Sequence, residues 1–249
     1  MEAGAVLVAW LPAEVVDLRQ ETPAARTLVL GVPGWPGHRA GQHVLLRLTA
    51  EDGYQAQRSY SLASPPGREP LELTVQRLDG GELSPFLTEE LAVGDRVEVG
   101  GPLGGYFVWD AAMGGPLLLV AGGAGMVPLM SMLRHRGACG ARGVAARLLY
   151  SCRTWEEVLY RRELQQMAAD DPGLELWWTL TRGRQPGPGV LTGRVGPSLL
   201  ARVAWPARQQ ALAYVSGPGG FVEMVADGLV ALGYPAERIR TERFGPSGP

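Results

Sequence analysis

The middle of the chain contains the stretch Pro116-Leu117-Leu118-Leu119-Val120-Ala121-Gly122-Gly123-Ala124-Gly125-Met126-Val127-Pro128. It begins with an uninterrupted apolar run, which is typical of a parallel strand buried on both faces. The glycines allow a close approach of the backbone, and Pro128 suits the first turn of a helix. The stretch therefore predicts a strand, a glycine-rich turn and a helix. Amides at such a turn can bind a pyrophosphate, although the spacing here is Gly-x-Gly-x-x-Pro rather than Gly-x-Gly-x-x-Gly.

Alternating strand and helix patterns follow this stretch to the end of the chain. The expected strands are Arg147 to Ser151, Leu174 to Leu180, Leu212 to Val215 and Ile239 to Phe244. Three helices are expected. The first begins at a capping box, Thr154 to Glu157, and ends near Ala169. The second is short, from Pro197 to Val203, and the third has an apolar face that begins at Phe221 and ends at Gly233. Residues 182 to 193 read as a loop. The alternation predicts a doubly wound parallel sheet, in which ligands bind at the carboxyl ends of the strands.

The first half of the chain has a different pattern, with short apolar alternations broken by Gly and Pro. The expected strands are Ala13 to Leu18, Arg26 to Leu30, His43 to Leu48, Arg58 to Ala63, Leu71 to Arg77 and Arg96 to Val99. Their number and spacing predict an antiparallel six-stranded β-barrel. We place the boundary between a barrel domain, residues 1–112, and an α/β domain, residues 113–249, where the period of the pattern changes.

A short helix from about Ser84 to Leu91 is expected to interrupt the barrel strands. Flexible glycines lead into it at Gly80 and Gly81, and free amides at a helix N-terminus can bind an anion. The alternative is a surface helix that Ser84 or Asp79 caps.

The stretch Arg58-Ser59-Tyr60-Ser61-Leu62-Ala63-Ser64 carries the polar chemistry of the barrel half. Arg58 and Tyr60 are two residues apart on a strand, so they should project to the same face. Arg58 can hold a phosphate, Tyr60 can stack on a flat heterocycle, and the Ser61 hydroxyl can reach a ring nitrogen. This combination indicates a flavin nucleotide. The alternative is that Arg58 is a surface charge and Tyr60 a core aromatic residue.

Composition and charge limit the functional classes. The net charge is −2 and no long run of one sign is present, so neither nucleic acid nor a membrane is expected as a partner. Cys139 and Cys152 are too few for a disulfide framework or a four-thiolate iron–sulfur cluster, and we expect no cluster in this chain. The start of the chain does not resemble a secretory signal, which favours a cytoplasmic location. His38, His43 and His135 have no metal-site spacing and are expected to be surface or turn residues.

Several short motifs occur in a fixed order along almost the whole chain. They are Arg-x-Tyr-Ser from Arg58, Gly-Gly-x-x-Ser from Gly80, Gly-Pro-x-Gly-Gly-Tyr-Phe from Gly101, Gly-Gly-Ala-Gly-Met-Val-Pro from Gly122, Tyr-Ser-Cys-Arg from Tyr150, Ser-Gly-Pro from Ser216 and Glu-Arg-Phe from Glu242. This series closely resembles the ferredoxin–NADP reductase superfamily of flavin-barrel and nicotinamide-domain oxidoreductases.

The resemblance implies a flavin site in the barrel half. Arg58 would contact the flavin phosphates, Tyr60 would stack on the isoalloxazine ring, and Ser61 would reach its reactive N5 edge. The loop residues Gly81, Glu82, Leu83 and Ser84 would wrap the pyrophosphate, and Thr74, Val75 and Gln76 would form the strand alongside. The presence of this loop favours FAD over FMN.

The resemblance also implies a nicotinamide site in the second half. Residues expected to bind this cofactor are Gly122, Gly123, Ala124, Gly125 and Pro128 at the pyrophosphate, Ser151 in the Tyr-Ser-Cys-Arg motif, Arg153, Thr181, Arg182 and Arg194 at a ribose 2′-phosphate, and Gly217 and Pro218 beside the nicotinamide. The arginines favour NADPH over NADH. All 23 basic residues are arginine, however, so each could instead be a solvated charge.

The residues expected to support catalysis are Tyr60, Ser61, Ser216, Glu242 and Phe244. Ser216 stands where the family often has Cys, and Glu242 and Phe244 resemble an acidic and aromatic pair that approaches the flavin. The alternative for Glu242 is a salt bridge with Arg240 or Arg243. Five residues follow Phe244, unlike members that end on the aromatic residue.

The function that the resemblance implies is hydride transfer from NADPH to flavin N5, followed by transfer of single electrons to a separate redox protein. The cofactors would supply the chemistry and the protein would align them. Two alternatives remain at this point. The chain could be an NAD(P)H:flavin reductase that releases reduced flavin, or a flavin-binding electron-transfer subunit without nicotinamide activity.

Overall fold

The computed structural model of the protein describes residues 8–50, 52–67, 70–183 and 189–245. Within these ranges the chain forms two six-stranded sheets, one antiparallel and one parallel. This is the architecture that the sequence predicts. No helix among the described residues is long and apolar enough to cross a membrane.

The antiparallel sheet consists of β1 (Trp10–Thr22), β2 (Ala25–Gly31), β3 (His43–Thr49), β4 (Gln55–Ser61), β5 (Leu71–Gln76) and β6 (Arg96–Leu103). Its strand order is β4-β3-β6-β1-β2-β5. A bridge between Leu62 and Leu73 joins the two outer strands, so the sheet closes into a barrel. Inward-facing aliphatic residues such as Leu28, Leu46 and Leu73 fill its core. The expected helix is present, with π-type hydrogen bonding over Phe86–Glu90.

The parallel sheet consists of β7 (Leu117–Gly122), β8 (Ala146–Cys152), β9 (Leu174–Leu180), β10 (Val190–Thr192), β11 (Leu212–Pro218) and β12 (Ile239–Phe244), in the order β10-β9-β8-β7-β11-β12. Helices α1 (Met126–Ala138) and α2 (Arg161–Asp170) pack on the face toward the barrel, and α3 (Pro197–Val203) and α4 (Gly219–Ala231) pack on the other face. The strand order reverses between β7 and β11, which is where sheets of this kind bind ligands.

Two local predictions are wrong. Thr154 does not cap a helix, because Trp155–Glu157 forms a 3₁₀ turn and α2 begins only at Arg161. The chain between these elements turns inward and buries Val158, Leu159 and Tyr160, and Tyr160 adopts a left-handed conformation. The expected loop at 182–193 contains the short strand β10, which pairs with β9. Residues 184–188 of that loop lie outside the described residues, as do residues 1–7 of the expected non-secretory start and the last four residues after Phe244.

The barrel and the parallel sheet are joined by a buried polar contact around Arg134 of α1. Its guanidinium binds Glu72 of β5 at 2.7 Å, Glu163 of α2 at 2.7 Å and the Ala63 carbonyl at 3.0 Å. The Tyr160 hydroxyl donates to the Thr74 hydroxyl beside it. Arg134 is buried and paired on both sides, so it fixes the position of one sheet relative to the other.

Candidate functional site

Strand β4 presents Arg58 and Tyr60 on one face of the barrel sheet, as expected. Tyr60 lies opposite Val44, and Arg58 lies opposite Leu46, two positions along the neighbouring strand β3. Tyr60 packs against the barrel core with its ring half-buried. Burial raises the pKa of Tyr60 to about 12, so its phenol is neutral at physiological pH. A neutral ring beside a guanidinium is suited to stacking on a heterocycle that carries phosphate.

Arg58 already has an acidic partner in this structure. Its guanidinium lies 2.7 Å from the Glu82 carboxylate, which also accepts a hydrogen bond from the Tyr54 hydroxyl. Glu82 belongs to the loop that is expected to wrap a pyrophosphate. A phosphate that binds Arg58 must therefore compete with Glu82, or Glu82 must turn away.

The remaining predicted flavin residues divide into accessible and buried side chains. Gly81 and Gln76 are accessible, whereas Val75 and Leu83 lie in the barrel core. The Thr74 hydroxyl is engaged with Thr27 and Tyr160, and Ser84 Oγ accepts from the Leu78 amide. Thr74, Val75, Leu83 and Ser84 can thus offer mainly backbone groups to a ligand.

The glycine-rich turn after β7 packs directly on the end of β11. A Cβ at Gly125 would lie 2.1 Å from the Ser216 carbonyl oxygen, and a Cβ at Gly217 would lie 3.0 Å from the Gly122 carbonyl oxygen. Gly123 has φ +54° and open space in front of it. Pro128 lies in the first turn of α1, as predicted. The turn therefore has one side closed against β11 and one side free to receive a ligand.

Two cross-strand pairs of polar residues meet where the barrel faces the parallel sheet. Ser61 of β4 lies opposite His43 of β3, and Ser216 of β11 lies opposite Glu242 of β12. The pairs are linked, because His43 Nδ1 is 4.0 Å from Glu242 Oε1. Ser61 Oγ, Ser216 Oγ and Glu242 Oε2 are buried and have no hydrogen-bond partner among the described residues. Buried polar atoms are nearly always paired, so three orphaned oxygens around one place indicate a ligand site.

The environment of Glu242 is apolar enough to change its protonation. Burial raises the pKa of Glu242 to about 7. The alternative salt bridges are not formed: Arg240 donates to the carbonyls of Tyr106 and Val108, and the nearest acidic partner of Arg243 is Glu223 at 3.9 Å. Phe244 lies half-buried at the end of β12, opposite Pro218.

The prediction that the histidines are surface or turn residues is wrong, since even His135 lies within helix α1 with its side chain only 14% exposed. His38 is buried, and it accepts from Trp35 Nε1 at 3.2 Å while its Nε2 contacts the Ser64 carbonyl. His43 is on β3 and faces Glu242. Because His43 and Glu242 are far apart in sequence, only strand pairing and the packing of the two sheets bring them together. Alternation along β3 could have placed His43 opposite Ser61, but not next to Glu242.

The predicted 2′-phosphate residues cluster beyond the carboxyl ends of β8 and β9. The Arg182 amide donates to the Arg153 carbonyl at 2.8 Å, and the Thr181 amide donates to the Cys152 carbonyl at 2.9 Å. Arg194 follows β10, the next strand in the sheet. Arg153, Arg182 and Arg194 are exposed, and their side chains bind no other described residue. Ser151 is buried at the end of β8.

A recess between the two sheets connects the predicted flavin and nicotinamide residues. It is lined by Thr22, Ala25 and Gln76 from the barrel and by Gly123, Ala124, Cys152, Glu157 and Leu159 from the parallel half. The glycine-rich turn and the end of β5 therefore face the same space.

Comparison with known proteins matches each half of the chain to a family. The oxidoreductase FAD-binding domain matches residues 14–108, and the oxidoreductase NAD-binding domain matches residues 119–227. The ferredoxin reductase component of 3-ketosteroid-9-alpha-monooxygenase from Mycobacterium tuberculosis is 32% identical over 93% of this chain and 64% of its own length. A flavohemoprotein from Pseudomonas putida is 31% identical over 87% of this chain and 54% of its own length. The chain thus spans between about half and two thirds of the length of these relatives.

A solved structure agrees with the sequence relatives. The flavohem-like FAD/NAD binding domain of nitric oxide dioxygenase from Vibrio cholerae superposes with a TM-score of 0.84 at 25% identity, covering 95% of this chain and 99% of that domain. Both sheets and their order along the chain are therefore shared with a domain that carries FAD and NAD sites. The chain belongs to the ferredoxin–NADP reductase-like superfamily of flavin-dependent NAD(P)H oxidoreductases.

Proposed function

We propose that the protein takes a hydride from NADPH onto bound FAD and passes the electrons singly to a separate redox protein. The observation that carries this proposal is the group of three orphaned oxygens, Ser61 Oγ, Ser216 Oγ and Glu242 Oε2, at the meeting point of the barrel and the parallel sheet. A flavin held by the barrel and a nicotinamide held by the sheet would meet at this point.

The residues present fit a flavin in the barrel half. Arg58 and the loop from Gly81 to Ser84 would hold its phosphates, Tyr60 would support the ring, and the Ser61 hydroxyl would lie at the ring edge. When bound, the flavin supplies the chemistry, because it accepts two electrons together and releases them one at a time. The protein positions the ring, excludes water and provides hydrogen bonds.

The preference for NADPH rests on the three exposed arginines. A ribose 2′-phosphate is a dianion, and guanidinium groups bind phosphate oxygens in pairs. Arg153, Arg182 and Arg194 are free of other described partners and lie beyond the ends of adjacent strands. The turn from Gly122 to Gly125 would receive the pyrophosphate, and Ser216, Gly217 and Pro218 would lie beside the nicotinamide ring. Phe244 would cover the flavin until the nicotinamide enters.

The separate acceptor is supported by the relatives. The Mycobacterium tuberculosis relative is a ferredoxin reductase component of a monooxygenase, which implies electron transfer to another component. Because the present chain spans only part of that relative's length, its own acceptor is proposed only as a one-electron carrier protein. Cys139 is exposed and Cys152 is buried, and a four-thiolate cluster needs more ligands than these two. Any cluster that receives the electrons would then belong to the acceptor.

An anaerobic titration tests the proposed function. The protein is purified with its flavin, its visible spectrum is recorded, and NADPH or NADH is added in parallel. Bleaching of the bound flavin that is faster with NADPH is the expected result. Flavin that neither nucleotide bleaches would contradict hydride transfer, and flavin lost during gel filtration would indicate a reductase that releases reduced flavin.

A further inference from the structure

We propose that His43 and Glu242 share one dissociable proton, and that His43 is the residue through which the buried Glu242 exchanges this proton with solvent. The inference rests on the proposed function for its role in turnover, since that function places Glu242 beside the reacting rings. Proton sharing itself is a property of the two side chains and can be tested without turnover.

The fold brings the two side chains face to face from different sheets. His43 Nδ1 and Glu242 Oε1 are 4.0 Å apart, which is within ion-pair distance and longer than a hydrogen bond. The His43 side chain is 29% exposed and that of Glu242 is 18% exposed, so the imidazole is the more accessible partner. A Cβ at Gly104 would lie 3.2 Å from the His43 ring, and the absence of a side chain there leaves room for the imidazole.

His43 is also the basic side chain that faces Glu242. Among the described residues, it is the only titratable group of opposite sign within 4.0 Å of the carboxylate. Arg240, two positions earlier on β12, is bound to carbonyls of the chain that leaves the barrel, and Arg243 turns toward Glu223. The strands beside the pair contribute uncharged groups, Ser61 from β4 and Ser216 from β11, and the adjoining segment contributes Gln42, which binds the Gly104 carbonyl. Further ionisable groups on the segments that pack here are Tyr106, whose hydroxyl donates to the Ile239 carbonyl of β12, and Tyr214, which has Arg39 and Arg240 near it.

Burial reverses the ordinary order of proton affinity in the two groups, so that the carboxyl group of Glu242 binds a proton more tightly than the imidazole of His43. It raises the pKa of Glu242 to about 7 and lowers the pKa of His43 from its ordinary value. As the pH falls through about 7, the first proton that the pair takes up therefore goes mainly to the carboxyl group. Interacting groups of this kind titrate as a pair rather than as independent sites.

The proton transfer is balanced without any further reactant. The Glu242 Oε1–H bond breaks as a His43 Nδ1–H bond forms, which gives a carboxylate and an imidazolium. The imidazolium then loses its Nε2 proton to water. The net change is the movement of one proton from the carboxyl group to solvent, and the reverse sequence returns it. His43 is thus a positioning and proton-carrying partner of Glu242, which itself lies next to Ser216.

Nuclear magnetic resonance can test the pair in the flavin-loaded protein. The imidazole signals of the three histidines are followed from about pH 4 to about pH 9 in the wild type and in Glu242→Gln. We expect the His43 signals to move in two steps in the wild type, the upper one near neutral pH, and in only the lower step in Glu242→Gln. His38 and His135 serve as internal controls, and Glu223→Gln, which removes an exposed carboxylate near β12, should leave both steps unchanged.

A reciprocal measurement covers the case in which Glu242→Gln folds poorly. In the wild type, the signal of the side-chain carboxyl carbon of Glu242 should move in two steps, a main one near neutral pH and a minor one at lower pH. In His43→Gln the minor step should be absent. The melting temperature of this variant is checked against that of the wild type. A single His43 step with the same midpoint in wild type and Glu242→Gln would overturn the inference. If His43 shows one step but NADPH bleaches the flavin, the inference fails and the proposed function stands. Two steps without bleaching would support the shared proton and contradict the proposed function.

Discussion

Ser216 lies directly opposite Glu242 in the parallel register of β11 and β12, and each has a buried oxygen without a partner in the described chain. A buried polar atom that is left unpaired lowers the free energy of unfolding, because it has lost its hydrogen bonds to water without gaining others. The fold nevertheless keeps both at the junction of two sheets. An unpaired buried group calls for an explanation, and a ligand or an ordered water that completes its hydrogen bonds is one.

Glu242→Gln should make stability less dependent on pH. Because the folded pKa of Glu242 is raised from 4.5 to about 7, its contribution to stability is present below about pH 4.5 and is lost as the pH rises through about 7. At about pH 8 the variant should be more stable than the wild type by up to about 3 kcal/mol, and at about pH 4.5 the two should be similar. Urea unfolding at both pH values measures this difference. Glu237→Gln, at an exposed site, is the control, and an equal difference at both pH values would contradict the assignment.

Gly125→Ala should be strongly destabilising. Its new Cβ would lie 2.1 Å from the Ser216 carbonyl oxygen, so the turn and β11 would have to separate. We expect a loss of about 3 kcal/mol or more, since two backbones cannot adjust as a flexible side chain can. Gly137→Ala, at an open position in the same helical region, should be neutral or stabilising. Thermal unfolding of the two variants compares them directly, and similar melting temperatures would show that the turn and β11 are not in close contact.

Removing the exposed arginines should change cofactor choice. Arg153→Ala and Arg182→Ala should each weaken NADPH binding about 10-fold to 100-fold, because each removes charge-assisted hydrogen bonds of about 1.5–3 kcal/mol. NADH binding should change little, since NADH lacks the 2′-phosphate. Arg208→Ala, at another exposed arginine, is the matched control. Steady-state kinetics with both nucleotides provides the measurement, and equal losses for NADPH and NADH would remove the 2′-phosphate role.

Arg58→Ala should weaken flavin binding about 10-fold to 100-fold, because the guanidinium would no longer meet the phosphates. Glu82→Gln should have the opposite effect, since it removes the carboxylate that lies 2.7 Å from Arg58. Arg96→Ala, at an exposed barrel position, should leave the affinity unchanged. Fluorescence titration of the flavin-free protein with FAD measures all three. Unchanged affinity in Arg58→Ala would show that Arg58 is a surface charge that pairs with Glu82.

The periodic pattern of apolar residues was sufficient to predict most of the fold. The apolar run before Gly122 and the alternation along His43 to Leu48 depend on local burial patterns, and the structure confirms both strands. The predicted start of α2 was wrong because a capping box is a local signal. The burial of Tyr160 against Thr74 and Arg134, which precedes the observed start of the helix, depends on residues far away in the sequence. His43 was missed for the same reason. Its partner is on another sheet, and no pattern within one strand records such a contact.

The order of the parallel sheet places β12 at an edge, where β11 is its only neighbour among the described strands. Arg240 binds the carbonyls of Tyr106 and Val108, and Glu242 lies 4.0 Å from His43, so these contacts of the strand precede its last residue, Phe244. An edge strand can fray at its end without breaking the interior ladder. In the proposed arrangement, fraying of β12 at Phe244 would open the space beside Ser216 to a nicotinamide ring while the contacts of Arg134 still hold the barrel against the sheet.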